Sequence, residues 1–137
     1  MASDAARTAF TVPSQFREMD GVTALVHAFV AAHVPDEELG YRVELVASEA
    51  ITNAIEHGNR LDASKSVHVR LGSGPDGVTI EVEDEGDGFD PGAVPDPIAE
   101  KALMAEGGRG LFLMKELADE IRYEHDGRCV VLALRPR

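Results

Sequence analysis

The chain has 137 residues, 44% hydrophobic and 28% charged, a balance that suits a folded domain able to bury one core. Its formal net charge of -12 argues against wrapping a nucleic acid and against binding an anionic membrane, both of which reward Lys and Arg; solubility alone would also account for it. A single cysteine, Cys129, excludes an internal disulfide, and there is neither an 18-residue apolar run nor a leader pattern, so a cytoplasmic protein of one domain, residues 1–137, is expected.

Residues 7–12, RTAFTV, suit a short edge strand, and Pro13 with Ser14 reads as a helix start. Apolar residues then recur at helical spacing at Phe16, Met19, Val22, Leu25, Val26, Phe29 and Val30. Such a helix covers its own sheet, and it could also form part of a subunit interface. Pro35 breaks the chain, Asp36 is a good N-cap, and Glu37 and Glu38 favour the positive end of a second helix. That helix places Val43, Val46, Ala47, Ala50, Ile51 and Ala54 on its buried side, and Gly58 is expected to stop it. Residues 59–66 read as loop. VHVRL (67–71), GSGPDG (72–77) and VTIEVED (78–84) read as strand, turn and strand of a hairpin. Residues 85–108, with three prolines and glycines at both ends, are too long for a plain connection and suit a lid or a disordered segment. GLFLMKELADE (110–120) predicts a helix with Leu111, Leu113, Met114 and Leu117 inward. IRYEH and CVVLAL then form a second hairpin about Asp126-Gly127, where Cys129 is expected to pack as a small core residue.

Three pieces of this chain carry chemistry. Glu49, Asn53 and His57 are spaced by four, so on an α-helix they line one edge within about 80°. Asp84-Glu85-Gly86-Asp87-Gly88 follows a strand and sets a carboxylate beside a backbone without side chains. A flat heterocycle can approach such a surface, and the carboxylate can accept from an exocyclic amine. An EF-hand is excluded, because its third and fifth positions counted from Asp84 are Gly86 and Gly88. Taken singly, this piece reads as well as an acidic loop. The third piece, Glu106-Gly107-Gly108-Arg109-Gly110, opens a helix whose free N–H groups, with Arg109, can hold an anion. No Walker motif and no G-x-G-x-x-G fingerprint occurs.

In that order the three pieces resemble the GHKL (Bergerat-fold) ATPase superfamily: ELVASEAITNAIEHGN its N-box, DEGDGFDP its first glycine box and EGGRGLFLM its second. The wording is most similar to the anti-sigma-factor serine/threonine kinase branch, from about residue 10 to the C-terminus. The resemblance implies an α+β fold, a two-layer α/β sandwich with one mixed, mostly antiparallel sheet, helices on one face, and an ATP lid over about residues 85–109. It implies that Asn53 ligates Mg²⁺ bridging the phosphates of ATP. Asp84 would bind the adenine amine, Gly86 and Gly88 would flank the base, and Gly107, Gly108, Arg109 and Gly110 would close on the phosphates. Glu49 is implied as the catalytic general base. His57 has two readings, an orienter of Glu49 or of a phosphate, and a helix-end histidine satisfied by local backbone.

The function so implied is an ATP-dependent protein serine kinase that acts as an anti-sigma factor, phosphorylating a STAS-type anti-anti-sigma protein and sequestering a sigma factor, as a homodimer. The alternative is an ATP-gated binding switch with little or no phosphotransfer. A histidine-kinase catalytic domain is a weaker third reading, since no phospho-accepting histidine sits on a dimerisation helix pair.

Overall fold

The computed structural model describes residues 6–87 and 109–137, with the backbone alone for 109–111. Five strands form one sheet in the order β1-β2-β3-β5-β4, where β1 is Ala6–Pro13, β2 Ser66–Gly74, β3 Gly77–Glu83, β4 Glu120–Glu124 and β5 Cys129–Leu134. All four pairings between these strands are antiparallel. Three helices, α1 (Met19–His33), α2 (Glu37–Asn53) and α3 (Arg109–Leu117), pack on one side of the sheet, which makes the α+β sandwich. No described helix is long and apolar enough to cross a membrane.

Strand alternation sends every second side chain to the helices. The rungs Val69–Val82–Val130 and Leu71–Ile80–Leu132 therefore stack under α2, whose Val43, Val46, Ala47, Ala50 and Ile51 are fully or almost fully buried. Asp36 caps α2 as expected, its carboxylate accepting from the Leu39 N–H at 2.9 Å. On the opposite sheet face the rungs are polar: His68 beside Glu83, and Arg70 paired with Glu81 at 2.9 Å and Glu83 at 3.2 Å.

Several local expectations are corrected. Ser14 does not cap a helix: α1 is entered through a 3₁₀ turn, Phe16–Glu18, and the buried Ser14 hydroxyl donates to the Lys65 carbonyl at 2.8 Å. The first hairpin turn is tighter than GSGPDG, because β2 runs to Gly74 and pairs with Gly77, leaving only Pro75 and Asp76 between them. Gly77 holds φ at +134°, a region that strains any side chain. Helix α3 stops at Leu117 and Glu120 already belongs to β4, since Asp119 N–H turns to pair with the Ala133 carbonyl. Cys129 is buried, but on the face away from the helices, beneath the Arg70 guanidinium at 3.8 Å.

Candidate functional site

The α-helical row of Glu49 and Asn53 is kept, and both side chains are half-buried on α2. Among the described residues neither side chain makes a hydrogen bond or ion pair. Beyond Asn53 the helix widens into a π turn, Ala54–Gly58, closed by the Asn59 N–H on the Ala54 carbonyl at 2.8 Å. His57 rides on this wider turn and leaves the strict α-helical row. Its ring is exposed, 3.9 Å from the Glu56 carboxylate. π turns inside helices are frequent at functional sites.

Gly58 is needed for a reason other than the one expected. Its φ is not positive, so it is no left-handed cap. Instead a Cβ there would collide with the carboxylate of Asp84, and a Cβ on Gly86 would collide with the Gly58 carbonyl. The end of α2 and the start of the acidic glycine turn are thus pressed backbone to side chain, and only glycines permit it. Asp84 is brought against Gly58, five residues beyond Asn53. Its Oδ1 accepts from the Gly86 N–H at 2.8 Å, while burial raises its pKa above the ordinary aspartate value.

Asn59, which reads in the sequence as loop, is almost fully buried. Its Nδ2 donates to Ser14 Oγ at 2.8 Å and to the Ser66 carbonyl at 2.9 Å, and its Oδ1 accepts from the Glu85 N–H at 2.7 Å. One side chain so ties the loop after α2 to residues 14, 66 and 85. Glu85 is held from its other end as well, its carboxylate accepting from the Ser66 N–H at 2.9 Å and meeting His68 Nε2 at 2.8 Å. These bonds draw the Glu85 pKa down. The one clue in the sequence to Asn59 was its place directly after the His57-Gly58 pair.

The described part of α3, Arg109–Leu117, includes Arg109 and Gly110 and packs along α2. The two helices are tied by Arg42, a buried cation on α2 missed in the sequence. It donates to Glu38 at 2.8 and 2.9 Å, to the last α3 carbonyl, Leu117, at 3.1 Å, and to the Arg135 carbonyl. Gly88, Gly107 and Gly108, with most of the expected lid, lie outside the described residues.

Residues 12–135 match the family described as the histidine kinase-like ATPase domain. The chain is 38% identical to the serine-protein kinase RsbW of Bacillus licheniformis over 95 residues, which is 65% of this chain and 59% of that protein. It is 34% identical to the serine-protein kinase RsbW of Bacillus subtilis (strain 168) over 97 residues, 66% of this chain and 61% of that protein. To the anti-sigma F factor of Clostridium perfringens (strain SM101 / Type A) it is 33% identical over 98 residues, 70% of each chain. The matched stretch therefore spans about three fifths of the two kinases. Taken with the antiparallel sheet, its one-sided helices and the meeting of Asp84 with the end of α2, the match over residues 12–135 shows that this chain belongs to the family of histidine kinase-like ATPase domains.

Proposed function

We propose that this domain binds Mg-ATP and transfers its terminal phosphoryl group to a serine of a STAS-type anti-anti-sigma protein, while also sequestering a sigma factor. The observation that carries the reading is the seating of the Asp84 carboxylate against Gly58, at the end of the helix that bears Glu49 and Asn53. The names of the relatives, serine-protein kinase and anti-sigma F factor, support the reaction and the partners.

In this reading Asp84 accepts from the adenine amine, and Gly86 and Gly88 leave room for the ring. Gly107 to Gly110, with Arg109, hold the phosphates. Asn53 offers a neutral oxygen that a hard divalent ion accepts, and the ion takes its other ligands from phosphates and water, so a single amide fits magnesium. Magnesium, when bound, neutralises phosphate charge. Glu49, one helical turn before Asn53, takes the proton of the attacking serine hydroxyl. His57, whose exposed ring is free to turn, orients Glu49 or a phosphate in this reading. The whole of residues 1–137 acts as one cytoplasmic domain. It pairs with a second copy, for which the exposed Leu25 of α1 is the support.

The test is labelled ATP with purified STAS domains, scored for phosphoserine. Wild-type protein should transfer. Glu49→Ala should bind ATP as well as wild type yet transfer about 10²–10⁴-fold more slowly, the usual worth of a general base. Transfer at the wild-type rate would remove Glu49 from the mechanism. Binding without any transfer would leave an ATP-gated switch.

A further inference from the structure

Three consecutive N–H groups at the head of the acidic glycine turn are each committed to a different partner. Asp84 N–H goes to the Arg128 carbonyl at 2.9 Å, Glu85 N–H to Asn59 Oδ1 at 2.7 Å, and Gly86 N–H to Asp84 Oδ1 at 2.8 Å. The first partner belongs to the turn between β4 and β5, and the third is the turn's own carboxylate. Only the second comes from the α2 side of the site. Asn59 is itself immobile: its Nδ2 spends both hydrogens on Ser14 Oγ and the Ser66 carbonyl, and Ser14 Oγ passes its own hydrogen to the Lys65 carbonyl. The described side chains leave no buried nitrogen or oxygen without a partner, so this network is complete.

We propose that Asn59 is a positioning residue for nucleobase recognition, setting the plane and depth at which the Asp84 carboxylate meets the exocyclic amine of adenine. The inference rests on the reading of Asp84 as the base acceptor. A carboxylate on a free turn would swing to meet several donor patterns, including the ring N–H and amine of guanine. Here rotation about the peptide between residues 84 and 85 would break the bond to Asn59 Oδ1. Rotation of the side chain would drive an oxygen into the Gly58 backbone or release the Gly86 N–H. Asn59 touches no substrate atom in this scheme. It acts through the Glu85 amide.

The experiment compares ATP with purine riboside triphosphate, which lacks only the exocyclic amine, by competition binding on the full chain. Wild type should prefer ATP by about tenfold or more, as a hydrogen bond to a charged acceptor commands. Asn59→Ala should narrow that preference to about threefold or less. Ser14→Ala, which cuts the network on the side away from Glu85, should lower the melting temperature and leave the preference intact. A role in stability alone would move melting in both variants and the preference in neither. If Asn59→Ala does not fold, Asn59→Ser takes its place, because its hydroxyl stops one bond short of Oδ1, and the same narrowing is expected. A wild-type preference retained in the folded Asn59 variant overturns the inference while leaving Asp84 as the base acceptor. No preference in wild type overturns the base reading and the inference with it.

Discussion

Asp84 and Glu85 are adjacent carboxylates pushed in opposite directions. Burial disfavours the charged form of Asp84, and the Gly86 N–H and the Arg128 charge only partly offset this, so its folded pKa lies above the unfolded one. Such a group favours the fold below its unfolded pKa and loses that contribution as pH rises through the folded value. Glu85 is the reverse. The Ser66 N–H and then His68 stabilise its charge, so its contribution is present above the ordinary glutamate range and lost as pH falls. The neutral, near-isosteric Asp84→Asn should therefore melt a few degrees higher than wild type at pH 7.5. The gap should close as pH falls through the raised Asp84 pKa, and the preference for ATP should go. Melting curves at pH 4 and pH 7.5 check the sign, and a variant less stable than wild type at pH 7.5 would refute it. This is the stability cost that binding residues commonly carry.

At the scale of the elements, the geometry of α2 is held by one cation and one crowded glycine. The buried Arg42 guanidinium meets the solvent-exposed Glu38 carboxylate, two backbone carbonyls and, at 3.6 Å, the partly exposed Asp119. Arg42→Ala should cost about 1–3 kcal/mol in denaturant unfolding, the usual cost of leaving buried acceptors, here the Leu117 and Arg135 carbonyls, without their donor. It should also loosen α3 against α2, because the last turn of α3 loses the donor on its Leu117 carbonyl. A loss under about 1 kcal/mol would mean that the pair does no more than a surface contact. The open sheet face supplies an independent check. Burial first, and then the nearby Glu83 charge, push the Cys129 thiol up to about 11. A thiol reagent at pH 8 should leave native Cys129 unmodified and react in full once the protein is unfolded, since the thiolate is the nucleophile. Rapid labelling of the native protein would contradict its place under Arg70.

For the molecule as a whole, the proposed site, shared by α2, the turn after β3 and α3, links ligand binding to global stability. Mg-ATP at 100 times its Kd should add about 2.7 kcal/mol, roughly 10 °C of melting temperature for a chain this size. Asn53→Ala or Asp84→Ala should remove most of that rise, and an undiminished rise in both would reject the site. The sequence alone determined the order of the strands and helices, the buried face of α2 and the Asp36 cap, because these follow from local periodicity and spacing. The apolar stripe of α2 was legible, with Val43, Val46, Ala47, Ala50 and Ile51 inward and Ala54 continuing it, as expected. The structure alone decided the π turn under His57, the crowding that requires Gly58, and the burial of Arg42 beneath the end of α3. The same holds for the three side-chain hydrogen bonds of Asn59. The π turn closes on a local bond, from the Asn59 N–H to the Ala54 carbonyl, that no hydrophobic period marks. Each of the others has a partner between 26 and 93 residues away, and no local pattern of hydrophobicity or turn chemistry records where a distant carbonyl or carboxylate will lie.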